Sequence, residues 1–336
     1  MHGKKKSDGG RLPVYNASSN DRRAEGMQGP RFVIKDSVCC IIVTYNIDDT
    51  IFKVVDGIAK QVGLVVLVDN GSSVDTRNRL KTIAVAYGPK IRLELLKDNV
   101  GIAAGLNFGV KIALEKGFEW VLTLDHDSIA TPGMIEALLR TYERFKDRNP
   151  GIVSPQHIDR ETGFRYRYVK YSRLLLRYGT TDSGPLECSS IMSSGNLIRK
   201  EVFRNAGLYR EDYFIYAVDN NFCRRVIRKN YSIIVSDEAV LRHREGELKT
   251  ISFFGITFST PDWKSKSLYY VFRNVLYDLR EVDRISEAAN VAMFLLKLIL
   301  TILFFKGETR SRRFKAVALG VRDGIRGRLG KSEEYG

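Results

Sequence analysis

One short segment constrains the fold of this chain more than any other, because an apolar run stops abruptly at two carboxylates separated by one residue. The mostly apolar run Val121–Leu124 is typical of a strand covered on both faces, and Pro132 is typical of the first turn of a following helix. If the chain stays extended as it leaves the strand, Asp125 and Asp127 point the same way. Two anions so close repel each other unless they share a cation, and Mg²⁺ or Mn²⁺ suits them because both ions prefer oxygen ligands. A solvated acidic turn is the alternative interpretation.

The order of apolar runs along the chain predicts a mostly parallel sheet. Strands are predicted at residues 38–44, 64–68, 91–96, 121–124 and 152–155. Strands that alternate with helices favour an α/β fold in which helices cover both faces of the sheet. Ligands of such sheets bind at the carboxyl ends of the strands, and the polar residues Asp69, Asn99, Asp125 and Asp127 all fall there. The sequence therefore predicts a nucleotide-type pocket at this edge of the sheet.

Three glycines lie in the first half of the helix predicted after the third strand. Gly101, Gly105 and Gly109 are spaced by four residues, which is not the G-x-G-x-x-G spacing of a dinucleotide site. Glycines with this spacing lie along one stripe of a helix, so we predict that Gly105 and Gly109 let the helix pack closely on the sheet. Gly101 and Asn99, at the helix entrance, are instead predicted to contact a ligand through exposed N–H groups.

The composition indicates an anionic partner. A formal net charge of +15 over 336 residues is compatible with nucleic acid, an anionic membrane or a phosphorylated substrate. The chain lacks helix-turn-helix, zinc and RNP signatures, so no nucleic acid is expected. The four cysteines lack C-x-x-C spacing, which favours reduced, buried thiols in a cytosolic protein. Residues 1–35 are basic and contain no apolar signal segment, so we predict a disordered arm.

Three later features each have two interpretations. The segment Phe164–Tyr171 alternates aromatic and basic residues, which predicts a strand that is either a solvated sheet edge or a phosphate-facing acceptor wall. Asp219 is predicted at the N-cap of a helix that begins near Asn220, and capping alone would explain an aspartate there. His243 follows an apolar run, where a single histidine is more often a surface or packing residue than a metal ligand.

Seven segments in this order resemble the family 2 glycosyltransferases of the GT-A fold, and in particular the bacterial rhamnosyltransferases that use dTDP-L-rhamnose. The segments are Ile41–Asn46, Val68–Ser72, Asn99–Asn107, Leu124–Ser128, Ser194–Asn196, Val218–Asp219 and His243. The resemblance covers roughly residues 36–330 and implies a GT-A domain at 36–250, which is Rossmann-like, followed by a helical, basic region at 251–336. It implies an inverting, metal-dependent transfer of a sugar, from a nucleotide-sugar donor to a saccharide acceptor, in bacterial surface polysaccharide synthesis.

The resemblance also implies roles for individual residues of the nucleotide site. Thr44, Tyr45 and Asn46 would lie along the nucleotide, and Asp69 would accept a hydrogen bond from the base. Asp125 would lie near both the ribose and the metal ion.

The metal ligands and the catalytic base are implied in the same way. Asp127 would bind Mg²⁺ or Mn²⁺ directly, and His243 matches the position of a distal metal ligand. Asp219 matches the base that takes the proton of the acceptor hydroxyl.

The surroundings of this base depart from the family pattern. Relatives often carry further carboxylates around it, where this chain has Tyr216 and Asn221. Glu211 and Asp212 therefore remain alternative candidates for the base that Asp219 is expected to be.

An apolar run and a basic segment follow one another near the C-terminus. The run Ala288–Phe305 is shorter than the roughly 20 residues of a membrane span and is interrupted by Asn290 and Lys297, so no span is predicted. Residues 306–331 then carry nine basic and two acidic side chains, a net charge of +7. The pair predicts peripheral attachment to the anionic inner face of the bacterial cell membrane, where the family finds its polyprenyl-linked acceptor. The alternative is a helix packed on the domain or on a second subunit of a homo-oligomer.

Other function classes fit the sequence less well. A family 2 transferase that uses a UDP- or GDP-sugar is the nearest alternative. A phosphatase of the haloacid-dehalogenase type also has a D-x-D after an apolar strand, but usually after its first strand, whereas here Asp69 and Asn99 mark two earlier strand ends. A basic nucleic-acid-binding protein would explain the charge alone.

Overall fold

The computed structural model describes residues 34–244, 248–253, 256–304 and 308–336 of the chain. Residues 1–33 of the predicted basic arm lie outside the described residues.

The strands and helices of the described residues are numbered in chain order. The strands are β1 (Val38–Thr44), β2 (Leu64–Asn70), β3 (Ile91–Leu96), β4 (Trp120–Asp125), β5 (Ile129–Ala130), β6 (Pro150–Asp159), β7 (Tyr168–Tyr171), β8 (Leu176–Gly179), β9 (Leu186–Glu187), β10 (Asn196–Arg199), β11 (Ser232–His243), β12 (Leu248–Phe253) and β13 (Ile256–Pro261). The helices are α1 (Thr50–Ala59), α2 (Val74–Tyr87), α3 (Ile102–Glu115), α4 (Met134–Arg144), α5 (Lys200–Ala206), α6 (Val218–Arg228), α7 (Ser265–Asp278), α8 (Ile285–Phe304) and α9 (Arg310–Arg326).

A mostly parallel sheet forms the centre of the molecule, which confirms the predicted α/β fold. Its strand order is β3-β2-β1-β4-β10-β6-β11-β5, and β9 also pairs with β11. Strands β1 to β4 run parallel, and β6 and β11 are parallel to each other. The exception at the centre is β10, which is antiparallel to both β4 and β6. Every residue of β1 and β2 is buried, as expected for strands covered by helices on both faces.

The glycine stripe of α3 packs on β1. A Cβ atom at Gly109 would lie 2.4 Å from Cγ2 of Ile41, and one at Gly105 would lie 2.8 Å from Cγ1 of Val43. Any larger residue at either position would push α3 off the sheet, so the packing role predicted for these glycines is confirmed. The four cysteines are buried and free, also as predicted.

Two local predictions need correction, and one strand was missed. The segment predicted as a strand from Phe164 forms regular structure only as β7, from Tyr168. Asp219 is not an N-cap, because α6 begins one residue earlier and Ala217 occupies the cap position in the left-handed conformation. Strand β10 was not predicted, because four residues give too short a pattern to separate a strand from a turn.

Helices α7, α8 and α9 form the C-terminal region. Helix α9 lies close against α7, since a Cβ atom at Gly320 or Gly324 would lie 2.5 Å from the backbone oxygen of Tyr269 or Arg273 respectively. Helix α8 begins at Ile285, three residues before the predicted apolar run, and has 20 residues. It is therefore long and apolar enough to cross a membrane, judged by length and composition alone, and most of it is not buried. The prediction of no membrane span rested partly on the length of the run Ala288–Phe305, and that run begins after the true start of the helix.

Candidate active site

Two carboxylates and an imidazole converge at one edge of the sheet. Asp125 ends β4, Asp127 follows it in the turn, and His243 ends β11. One ligand atom from each of the three lies within 4.8 Å of the others. Strands β4 and β11 are not neighbours in the sheet, but β5 begins two residues after Asp127 and pairs with β11 through Ile129 and Arg242. That pairing brings the D-x-D turn to the end of β11.

A chain of hydroxyl groups links the histidine to the end of β4. Nδ1 of His243 lies 2.8 Å from Oγ of Ser128, which lies 2.9 Å from Oγ of Ser194. The backbone N–H of Asp125 donates to the same Ser194 oxygen at 3.1 Å. This network orients the imidazole and the end of β4, in the way that hydrogen bonds to metal-binding side chains orient them at metal sites.

The electrostatics of this cluster fit a divalent cation. Burial raises the pKa of Asp125 to about 6, and the nearby carboxylate of Asp127 adds to the increase. A cation bound between the two carboxylates would remove that repulsion. Carboxylates are the ligand type that suits Mg²⁺ and Mn²⁺, whereas imidazole suits transition metals generally. Asp125, Asp127 and His243 therefore meet, in their positions and chemistry, the requirements of the predicted metal site.

Asp219 lies in the first turn of α6 and lines a cavity of about 590 Å³, called here the acceptor cavity. Burial and, to a smaller extent, the carboxylate of Asp125 raise the pKa of its carboxyl to about 7, against hydrogen bonds with Ser193 that lower the pKa. Such a group gains and loses a proton near neutral pH, which is what a general base requires.

The two alternative bases are engaged elsewhere. Glu211 accepts a hydrogen bond from Nδ2 of Asn107 at 2.9 Å. Asp212 pairs with Arg210 at 2.5 Å. Their contacts favour Asp219.

A second cavity of about 430 Å³, called here the donor cavity, lies beside the metal cluster. Its lining includes Thr44, Tyr45, Asn99 and Gly101, four of the residues predicted to bind the nucleotide. Asn46 lies at the same strand end, where its side-chain oxygen accepts the Ser73 N–H at 3.0 Å and so ties the turn after β1 to that after β2.

Asp69 pairs in register with Thr44 and is fully buried. Its Oδ2 accepts the Ser72 N–H at 3.2 Å and Nε of Arg77 at 3.1 Å. Its Oδ1 is buried and has no hydrogen-bond partner within the protein. A buried acceptor without a donor is costly, and the family resemblance implies an N–H of the nucleotide base as its partner. Asp69 itself, however, is not among the residues that line the donor cavity.

The N–H of Gly101, at the entrance of α3, does not have the role predicted for it. The Gly101 N–H donates to Oδ1 of Asn99 at 2.9 Å, and the Ile102 N–H donates to the Phe214 carbonyl at 2.8 Å. Both donors are therefore occupied within the protein, and the prediction of a free Gly101 N–H is wrong. Position 101 requires glycine for two reasons: its φ is 89°, and a Cβ atom there would lie 2.5 Å from the Phe214 oxygen.

The acceptor cavity is lined by residues whose role sequence reasoning missed. Its aromatic lining residues are Tyr171, Tyr178, Tyr216, Trp263 and Phe294. Tyr216 lines the donor cavity as well, so it lies where the two cavities meet. The outer wall is formed by α8, through residues such as Asn290 and Lys297. Two sequence predictions point to this cavity, since Asp219 lines it and so does Tyr171 of the segment Phe164–Tyr171, for which an acceptor wall was one interpretation.

Comparisons with known proteins agree with this geometry. The model of the family "Glycosyl transferase family 2" matches residues 39–207. The chain is 29% identical to the dTDP-rhamnosyl transferase RfbF of Shigella flexneri, over 88% of this chain and 98% of that protein. It is 23% identical to the low-salt glycan biosynthesis hexosyltransferase Agl10 of Haloferax volcanii, over 89% of this chain and 94% of that one.

Two solved structures share the fold. The S. aureus TarS fragment 1–349 superposes with a TM-score of 0.52 at 16% identity, over 86% of this chain and 80% of that one. GalNAc-T7, solved with UDP, GalNAc and Mn²⁺, superposes with a TM-score of 0.52 at 15% identity. That match covers 65% of this chain and 44% of GalNAc-T7. At these identities the likeness establishes the GT-A-like fold and nothing about substrates.

Proposed function

Because this chain belongs to glycosyl transferase family 2, we propose that it transfers L-rhamnose from dTDP-L-rhamnose to a saccharide acceptor with inversion at the anomeric carbon. The observation that carries the proposal is the meeting of two cavities at Tyr216, with the Asp125, Asp127 and His243 cluster and Asp219 beside them. The likeness to RfbF, which extends over nearly the whole of both chains, supports the choice of donor. Family membership also favours a transferase over a phosphatase or a nucleic-acid-binding protein.

The donor nucleotide occupies the donor cavity in this proposal. Thr44 and Tyr45 lie along it, and the unpartnered Oδ1 of Asp69 accepts an N–H of the base. A thymine or uracil ring offers one such N–H, so this contact is compatible with both dTDP- and UDP-sugars.

Asp125, Asp127 and His243 would hold Mg²⁺ or Mn²⁺. When bound, the cation supplies positive charge that stabilises the nucleoside diphosphate as it leaves. The hydroxyl network from Ser128 to Ser194 keeps His243 and the end of β4 in place for this.

Asp219 acts on the acceptor in this proposal. Its carboxylate takes the proton of the acceptor hydroxyl while the hydroxyl oxygen attacks the anomeric carbon, opposite the leaving nucleoside diphosphate. A pKa near 7 matches this task at neutral pH, and general-base catalysis of this kind contributes about 10²–10⁴-fold. One displacement of this type inverts the anomeric configuration.

The acceptor is proposed to be a polyprenyl-diphosphate-linked saccharide, used in surface polysaccharide synthesis on the cytoplasmic face of the bacterial membrane. Helix α8 supports this, because one part of it lines the acceptor cavity while the apolar side chains of Leu296, Leu303 and Phe304 are exposed. Arg310 and Lys315 of α9, the helix that follows α8, are exposed basic residues that can bind anionic lipid headgroups.

An interfacial position for α8 fits better than a membrane span. Leu298 and Ile302 of α8 pack with Leu268 and Phe272 of α7, so lipid could not surround the helix on all sides. Such a helix lies in the membrane surface with its apolar face in the lipid. We propose that the catalytic domain ends near residue 250 and that the rest attaches it peripherally to the membrane.

A thermal-shift screen tests the proposed donor. Purified full-length protein is heated with dTDP-L-rhamnose, UDP-sugars or GDP-sugars, each with and without Mn²⁺. We expect the largest rise in Tm for dTDP-L-rhamnose with Mn²⁺, because a ligand at about 100 times its Kd stabilises the folded state by about 2.7 kcal/mol. A larger rise with a UDP- or GDP-sugar would assign the chain to a different donor within the family.

A further inference from the structure

We propose that Asn274 of α7 is a positioning residue that holds the segment 213–217 in the conformation that presents Tyr216 and Asp219 to the two cavities. The inference rests on the proposed function where it concerns transfer, but its structural basis is independent of the donor and acceptor.

The backbone of this segment adopts conformations that its residues rarely take. Phe214, Tyr216 and Ala217 have φ values of 64°, 65° and 58°. The other non-glycine residues with positive φ, among those that the structure describes, are all asparagines. Asparagine tolerates the left-handed region, whereas an aromatic residue there is held by its surroundings.

The side-chain amide of Asn274 supplies that hold. Its Nδ2 contacts three backbone oxygens, those of Tyr213 at 2.8 Å, Ile215 at 2.7 Å and Tyr216 at 3.0 Å. Asn274 is fully buried, so water cannot replace these bonds. One amide group thus fixes the carbonyls of three of the five residues in the segment.

Arg273 orients the amide and ties the segment to the C-terminus. Its Nε donates to Oδ1 of Asn274 at 2.8 Å, so Nδ2 must face the carbonyls. Its other nitrogens donate to the oxygens of Tyr213 at 3.0 Å and Gly330 at 2.6 Å. The Gly330 N–H in turn donates to the Asp212 oxygen at 2.6 Å. The segment is therefore held by residues far from it in the chain.

The position of Tyr216 explains what this hold does for transfer. Tyr216 lines both cavities, and its hydroxyl donates to Oγ of Ser267, also on α7, at 2.8 Å. Asp219 follows three residues later and faces the acceptor cavity. Releasing the segment would change the position of the base relative to the donor sugar. The proposed metal ligands Asp125, Asp127 and His243 lie outside the segment, so the metal would still bind. Phe214, Ile215 and Tyr216 also line the donor cavity, so nucleotide binding would weaken.

The substitution Asn274→Asp tests the proposal, because it keeps the shape of the side chain and replaces the donating nitrogen with an oxygen. Hydrogen–deuterium exchange is followed by mass spectrometry in peptides that cover residues 209–222. We expect exchange there to become at least about tenfold faster, with little change in peptides from β1 to β4. Turnover of dTDP-L-rhamnose should fall by about 10²-fold. The Mn²⁺-dependent part of the Tm shift should persist, because Asp125, Asp127 and His243 lie outside the segment.

Ser265→Ala is the matched control. It removes a hydrogen bond of the same helix, from the buried Ser265 hydroxyl to Oε2 of Glu308 at 2.7 Å, and that bond involves neither the segment nor Arg273. This variant should leave both exchange in residues 209–222 and turnover unchanged. If Asn274→Asp does not fold, Arg273→Lys, which keeps the charge but not the fork of donors, takes its place.

Unchanged exchange in a folded variant would overturn the proposal, and so would faster exchange with normal turnover. Failure of both variants to fold would give the pair a role in stability alone and would also overturn it. If the wild-type protein neither binds dTDP nor turns over the donor, the proposed function fails, yet the exchange comparison still decides whether Asn274 holds the segment.

Discussion

The carboxylate of Asp125, which ends β4, raises the pKa of Asp219 in the first turn of α6. The proposed metal ligand and the proposed base are thus electrostatically linked, although they come from different elements of the fold. Loss of negative charge at Asp125, by protonation or by cation binding, lowers the pKa of Asp219.

The first prediction concerns the pH dependence of transfer. The folded-state pKa of Asp219 is raised from 3.8 to about 7, so the active carboxylate form is present above that pH and is lost as the pH falls through it. We expect kcat/KM for the donor to fall about tenfold per unit below the midpoint, and the midpoint to move to lower pH as Mn²⁺ occupancy rises. Initial rates between pH 5.5 and 8.5 measure this. A profile that stays flat across that range would contradict a base with this pKa.

The second prediction separates catalysis by Asp219 from its structural contribution. Asp219→Asn should lower turnover by about 10²-fold or more, because the amide cannot accept the proton. Ala217 is the N-cap of α6, so the substitution removes no cap and Tm should change little. Turnover by product release and Tm by calorimetry decide it. Near-normal turnover in the folded variant would transfer the role to Glu211 or Asp212.

The third prediction concerns the metal cluster. Asp127→Ala should abolish the Mn²⁺-dependent part of the stabilisation by dTDP, because one of the three ligand atoms within 4.8 Å is lost. Asp56→Ala, which removes an exposed carboxylate paired with Lys60, is the control and should leave the shift intact. Thermal shifts with dTDP, with and without Mn²⁺, are compared in both variants. Equal metal-dependent shifts in wild type and Asp127→Ala would contradict the proposal that Asp127 is a metal ligand.

The fourth prediction concerns the membrane. The full chain should co-sediment with liposomes in proportion to their anionic lipid content and less so at high salt, since each nearby basic residue contributes about 1 kcal/mol and is screened over about 8 Å at physiological ionic strength. Changing Arg310, Arg312 and Lys315 to Gln should weaken binding. Arg313 belongs outside this set, because it is buried and pairs with Asp262 at 2.7 Å.

We expect helix α8 to contribute the salt-resistant part of this binding. Leu296→Ser and Leu303→Ser should reduce sedimentation with neutral and anionic vesicles alike, because both side chains are exposed and apolar. If neutral and anionic vesicles bind the wild-type and Gln-substituted proteins equally, the basic helix is no anchor. Contact with a second subunit would then explain the exposed surface better.

Much of the fold follows from local pattern. Apolar runs predicted β1, β2 and β4 because the interior of each strand is buried on both faces and so lacks polar alternation. Strand β3 lies at the edge of the sheet and is only partly buried, yet it keeps four apolar residues out of six. Spacing alone placed Gly105 and Gly109 against the sheet, since a four-residue interval fixes one face of a helix. The interpretation of Asp125 and Asp127 as a pair depended equally on local geometry, namely the two-residue repeat of an extended chain.

By itself, the sequence determined the parallel sheet, the D-x-D at a strand end and, through its resemblance to a family, the transferase class. Only the tertiary structure decided how the site is completed. His243 reaches Asp127 because β5 pairs with β11, and Tyr216 reaches both cavities because Asn274 binds the carbonyls around it. Likewise, its position at a helix entrance suggested that the Gly101 N–H contacts a ligand, but in the tertiary structure this N–H donates to Asn99. The physical reason is that periodicity reports only which face of an element is buried. Hydrogen bonds between segments far apart in the chain leave no periodic trace, because they depend on register and crossing geometry.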